Sequence, residues 1–281
     1  MSNTAATTGS NAYRGALGFL ALTAVFVVVW YGFILAFPDI QATGALSVIT
    51  RVIIHALILT GLWLGLACTD LDAGTRLKVW LTIAILFTAW LAVMWWLAID
   101  GAFRPRPGGG GAPALPIAIL LPVLVALPML LSSKRVAAIL DATPASWLIG
   151  LQAYRVLGGI FLVLSIRGSM ATAFAVPAGV GDVLVGLLAL PVAYLVRAKA
   201  RHAVRVGTAW NVLGLVDFAI AIGMGALIAQ QIIVPDRPNT QLGAFPTVMI
   251  PTFAVPSSII LHVLSLWQLR RLARKPAEIR L

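Results

Sequence analysis

"KVWLTIAILFTAWLAVMWWLAI" fills residues 78–99, and its only charged residue is the first. A helix needs about 20 apolar residues to cross a hydrocarbon layer of about 30 Å, and this block has that length. Its apolar residues run without the 3.6-residue or 2-residue period of a half-buried element. Seven more blocks of the same kind lie at about 15–37, 46–67, 114–131, 145–166, 173–196, 207–229 and 246–268. The whole chain of 281 residues is 60% hydrophobic and 10% charged, with a mean hydropathy of +0.99. A soluble domain is about a quarter charged. In lipid every backbone group must be paired internally, which leaves helices or a closed barrel, and the alternation of barrel strands is missing. The expected fold is therefore all-α: one integral membrane domain over residues 1–281, built as a bundle of about eight spans.

The first block is too long for a signal peptide and no A-x-A site follows it, so it is expected to be a retained first span. Residues 1–11 are small and polar and are expected to be disordered. Thr143 and Pro144 suggest a cap and a first helical position for the fifth span. The segment 132–146 mixes basic and apolar residues and is expected along a membrane interface.

Two features suggest two four-helix halves, 1–140 and 141–281. "AYRGALGFL" (12–20) and "AYRVLGGIFL" (153–162) share Ala-Tyr-Arg, a glycine four residues after the arginine, and Phe-Leu. The fourth and eighth spans each carry three prolines, Pro116, Pro122 and Pro128, then Pro246, Pro251 and Pro256.

Lysine and arginine favour the cytoplasmic side. With the N-terminus inside, the inner segments hold 14 of the 20 basic residues and the outer loops hold four, Arg104, Arg106, Arg167 and Arg237. The other two, Arg51 and Arg155, fall within spans. Trp30, Trp95 and Trp96 then lie near outer ends, and Trp63, Trp80, Trp147, Trp210 and Trp267 near inner ends, where indole rings favour the interface. The chain is expected in an inner membrane with both termini cytoplasmic. The net charge of +11 reflects this bias and attraction to anionic lipid heads, not nucleic acid. The single cysteine, Cys68, excludes an internal disulfide and a multi-cysteine metal site. No H-E-x-x-H motif is present and no lysine lies deep in a span, so neither a zinc-protease centre nor a retinal Schiff base is expected. No metal or other cofactor is expected. A homo-oligomer stays open, with Gly61 and Gly65 as a G-x-x-x-G packing motif.

Charged and polar residues inside spans are functional candidates. The second half carries Gln152, Arg155, Asp182, Asn211, Asp217 and His262, and the first half adds His55. At about 1.5 Å per residue, Asp182 lies roughly 13 Å from the outer end of its helix and Asp217 roughly 15 Å from the inner end of its own. Both reach the midplane. Arg51, near an outer end, is expected to snorkel to the headgroups. Pro177, Gly179 and Gly181 are expected to break the helix just ahead of Asp182. The expected pairing is Arg155 with Asp217, leaving Asp182 free to titrate.

"GVGD" (179–182) resembles the G-x-G-D motif of intramembrane aspartyl proteases, such as presenilin and the prepilin peptidases. That resemblance implies two aspartates sharing a proton, with Asp217 as the second. Here Asp217 follows the motif, whereas those families place their other aspartate before it, and a Pro-Ala-Leu motif is missing. Broken helices at the midplane are where transporters bind solutes. The favoured expectation is a carrier or ion-coupled permease for a small solute. The alternatives are a non-catalytic scaffold or accessory subunit and the protease.

The orientation has a direct check. Cysteine labelling from outside should fail at Arg201→Cys and succeed at Asn239→Cys; the reverse pattern would overturn the assignment of sides.

Overall fold

The computed structural model describes residues 2–37, 44–105, 112 and 114–274. Eight helices are long and apolar enough to cross a membrane: Ala12–Ala36, Val48–Ala67, Ala73–Ile99, Ala114–Ser132, Ala145–Ile166, Thr172–Arg197, Ala203–Ala229 and Ile250–Arg274. They coincide with the eight expected spans to within a few residues, and no strand occurs among the described residues. Helices α1 (Ser2–Ala36), α2 (Ala45–Ala67), α3 (Ala73–Ile99) and α4 (Ala114–Ser132) form the first four spans. Residues 2–11 are not disordered as expected but extend α1. Once a helix is nucleated, each added residue gains a hydrogen bond for the dihedrals it fixes.

A short helix, α5 (Lys134–Ala142), follows α4. Ser133 caps it by accepting from the Val136 amide, and its apolar face buries Ile139 and Leu140. The Gln268 amide nitrogen, from the last span, donates to the Leu140 and Thr143 carbonyls. Thr143 does not cap the fifth span. Its hydroxyl donates back to Ile139 O at 2.7 Å and closes α5, so the next helix begins at Ala145 with Pro144 before it.

The fifth span is irregular. Helix α6 (Ala145–Leu151) gives way to a 3-10 segment, Gln152–Gly159, and α7 (Ile160–Ile166) resumes the α geometry. The sixth span, α8 (Thr172–Arg197), is continuous. The expected break at Pro177, Gly179 and Gly181 is therefore absent. Pro177 lies in the second turn of α8, where a proline removes one hydrogen bond close to the helix start. The glycines there serve contact: a methyl on Gly179 would lie 2.7 Å from Leu162 Cγ.

Helix α9 (Ala203–Ala229) is the seventh span. The loop after it is tied down by Asp236, whose carboxylate accepts from the Thr172 amide at 2.9 Å and from the Thr172 hydroxyl at 2.7 Å. Those bonds hold the Asp236 carboxyl below its ordinary range. The eighth span opens with a π-helical turn, Ile250–Ala254, containing Pro251, and continues as α10 (Val255–Arg274). Of the three prolines of this span, Pro251 lies in that turn, Pro246 precedes it and Pro256 lies in the first turn of α10.

Helix α8 is the centre of the bundle. The 3-10 segment, α9, α1, α6 and α7 all pack on it. Half or more of the most apolar stretch of the fifth, sixth and eighth spans is buried, against 11–22% for the other five. Those five present large side chains such as Leu22, Val28, Leu86 and Leu124 outward. In a bilayer such surfaces meet lipid tails at no hydrophobic penalty, so helix association rests on close packing and polar contacts. Trp210, expected near an inner end, faces the protein interior. It is 3% exposed, and its indole nitrogen donates to Val185 O at 3.0 Å.

The 3-10 backbone comes close at Gly186, where an added methyl would press on the Val156 amide, lie 2.7 Å from Val156 Cγ1 and 3.0 Å from the Arg155 carbonyl carbon. Gly186→Ala should therefore lower the thermal midpoint by displacing the 3-10 backbone. Gly223 has nothing within 4 Å of such a methyl, so Gly223→Ala should be neutral or stabilise by up to about 1 kcal/mol. Equal midpoints for the two variants in detergent would contradict this packing.

Candidate functional site

Arg155 stands on the 3-10 segment, 3% exposed, and faces α8, α9 and α10. Its Nε donates to Asp182 Oδ1 at 2.9 Å, and Nη2 lies 2.8 Å from the same oxygen. Nη2 also donates to Asp217 Oδ2. Nη1 donates to His262 Nε2 at 3.0 Å and reaches Gly214 O at 3.4 Å. A guanidinium has five N–H donors in a planar fork; here all three nitrogens donate, in four hydrogen bonds. The Phe218 ring covers its face at 3.9 Å from centroid to Cζ.

The network runs on through His262. A guanidinium cannot accept a hydrogen bond, so Nε2 is the acceptor and the imidazole proton sits on Nδ1. That nitrogen donates to Asn211 Oδ1 at 2.9 Å. The Asn211 amide nitrogen donates to Gly207 O at 2.8 Å and Ser265 Oγ at 3.0 Å. Asn211, His262 and Ser265 are all 0% exposed, so each polar atom in this chain is satisfied by another, as burial in a low-dielectric interior requires.

Glycines make room for these side chains on three elements. A methyl on Gly158 would lie 2.5 Å from Asp182 Cγ, one on Gly214 would lie 3.0 Å from Arg155 Nη1, and one on Gly181 would strike the Asp217 carboxylate. A 3-10 turn is narrower than an α turn. In the fifth span it brings Tyr154, Arg155 and Gly158 close against α8.

A small cavity adjoins the cluster, with about 20 Å³ open to the centres of water-sized molecules. Arg51, Tyr154, Arg155, Gly158, Asp182, Phe218 and Ser258 are among its lining. The Tyr154 and Ser258 hydroxyls are 2.7 Å apart. Tyr31 Oη donates to Val156 O at 2.6 Å, which fastens α1 to the same segment.

Five expected site residues, Arg155, Asp182, Asn211, Asp217 and His262, thus come together. The expected pairing is corrected: Asp182 is not free, because the two edges of one guanidinium reach carboxylates on two different helices. Gln152 is fully buried at the start of the 3-10 segment, with no hydrogen-bond partner for its amide among the described residues. His55 lies elsewhere, bonded to Thr88 at 3.0 Å and stacked on Phe87. Arg51 does not snorkel. It is 5% exposed and lines the cavity, since α2 turns that side chain toward the bundle. Tyr154 and Ser258 were not singled out in the sequence as site residues; only the adjacency of Tyr154 to Arg155 pointed that way.

The bridge predicts a particular pattern of stability. Asp182→Asn or Asp217→Asn alone leaves Arg155 one carboxylate and should lower the thermal midpoint modestly. The double change strands a buried charge and should cost about 3–5 kcal/mol. Adding Arg155→Gln to the double variant should recover most of that loss. Thermal melts in detergent check it, and a single variant as damaging as the double one would contradict the bridge.

Among known proteins, no curated protein and no solved structure matches the chain. A family model described as a domain of unknown function, DUF8737, matches residues 112–270. The matched stretch holds Tyr154, Arg155, Asp182, Asn211, Asp217, Ser258 and His262, whereas Arg51 and His55 lie ahead of it. The match covers 159 of 281 residues (112 through 270), more than half, and the chain belongs to the DUF8737 family.

Proposed function

We propose that this membrane protein is a carrier that moves a small solute in exchange or company with an ion. The observation that supports the reading is the small cavity beside Arg155, set where an ionic cluster ties the fifth span to the sixth and seventh. Two irregular segments, Gln152–Gly159 and Ile250–Ala254, contribute to its wall. Non-helical backbone at membrane depth is tolerated where it is enclosed by protein or lines a cavity, and carriers use such places for binding.

The cluster supplies a plausible chemistry for coupling. A proton on Asp182 removes one of the two anionic partners of Arg155. The guanidinium keeps Asp217, so the 3-10 segment stays on α9 while its hold on α8 weakens. Loss of the proton restores the link. A cycle of this kind alternates two packings of the same helices, which is what exposing a site to one side at a time requires. In this reading the chain lies in an inner membrane with both termini cytoplasmic, and its inner basic residues meet anionic headgroups.

A static scaffold is the second reading, favoured by the engagement of every Arg155 nitrogen. The protease alternative is disfavoured, because Arg155 stands between the two carboxylates that would have to share a proton.

The test is reconstitution into vesicles holding a pH-sensitive dye, with formate, acetate, sodium or ammonium added outside and protein-free vesicles as the control for leak. At least one solute should change the internal pH beyond the control, and Asp182→Asn, still folded, should abolish that change. Folded protein that responds to none of them would favour the scaffold.

A further inference from the structure

Two buried arginines line the cavity, and they differ sharply. Every nitrogen of Arg155 donates a hydrogen bond. Arg51 has one weak contact among the described residues, Nη2 to Thr50 Oγ1 at 3.4 Å, and its buried Nε has no partner. No carboxylate of the described residues forms an ion pair with it. Burying a guanidinium with its fork unused is costly. Across the cavity, Tyr154 and Ser258 share one hydrogen bond between two hydroxyls, so one hydroxyl hydrogen is left over. A fork of N–H donors and a spare O–H, on residues that line one cavity, are complementary to an anion.

We infer that this cavity is a binding site for a small monovalent oxyanion of the formate or nitrite type, held by Arg51 and by the Tyr154–Ser258 pair. The inference rests on the carrier reading and gives its solute a chemical class. Two oxygens on one centre match the guanidinium fork. A cavity that accommodates about one water admits only the smallest such anions, with slight opening of its walls.

The charge balance adds a condition. Arg51, Arg155, Asp182 and Asp217 sum to zero. An incoming anion leaves the pocket at −1 unless one proton enters with it. Asp182, which lines the cavity, is the acceptor in reach of the ligand. Around it stand Arg155, Arg51, Tyr154 and Tyr31, with Asp217 and His262 on the far side of Arg155. One anion and one proton are then bound together and leave together.

Thermal unfolding of the full chain in detergent tests the site, with sodium formate, sodium nitrite or sodium chloride compared with sodium gluconate at equal ionic strength. Formate or nitrite should raise the midpoint saturably and more strongly at lower pH, with one proton taken up per anion in unbuffered titration. Ser258→Ala should weaken the apparent affinity about tenfold. Arg51→Gln should remove the shift; should that variant fail to fold, Arg51→Lys keeps the charge, loses the fork and should still lose most of the affinity. A shift equal in chloride, or one that survives the Arg51 variants, overturns the inference. The two readings fail separately. A formate shift without flux in vesicles keeps the site and removes the carrier, whereas solute-driven flux indifferent to Arg51 keeps the carrier and removes the site.

Discussion

One guanidinium, that of Arg155, ties together four spans. It reaches a carboxylate on α8, a carboxylate and a carbonyl on α9 and an imidazole on α10, from a backbone that belongs to the fifth span. No other cationic side chain offers five donors in a fixed plane. A lysine would satisfy three partners at most and would have no flat face for Phe218. The cost of burying the charge is offset only while all partners are in place, so the helices around it are constrained together rather than pair by pair.

That constraint accounts for much of the local backbone. Five charged or aromatic side chains cannot converge between helices at ordinary separation unless small residues yield space, and Gly158, Gly181 and Gly214 do so on three elements. The 3-10 stretch places Tyr154, Arg155 and Gly158 against α8, where Gly186 admits the Val156 backbone. Among the described residues, the first four spans carry no comparable network. They hold on through contacts such as Tyr31 to Val156 and Gly65 beside Thr143, and otherwise offer lipid-facing surface.

The eight spans were legible in the sequence because bilayer thickness imposes a length that composition alone reveals. Most of the cluster was legible for a related reason: a charge in a span has few uses, so Arg155, Asp182, Asp217, Asn211 and His262 stand out by type. Their connections were not. Whether Arg155 takes one aspartate or both depends on the rotation of three helices about their axes, which no spacing within one helix encodes. Pro177 was misread because a proline near a helix start costs little, while the real irregularity in the fifth span has no proline and arises from close packing. Arg51 was misread because depth alone suggested the headgroups, whereas the face of α2 that carries it turns inward. His55 lies at a comparable depth but on the interface with α3, so polarity and depth together still left the partner undetermined.

The contrast between the two arginines gives the protein its functional character. Arg155 is saturated and holds the helices; Arg51 faces the same cavity with its donors largely unspent. The central claim is that one arginine engages both aspartates at once. Solid-state NMR of labelled protein in lipid tests it most directly, through transfer from Arg155 Cζ to the side-chain carboxyl carbons. The account predicts contacts to both Asp182 and Asp217 within a single population. A contact to only one of them, or to each in separate populations, would contradict it.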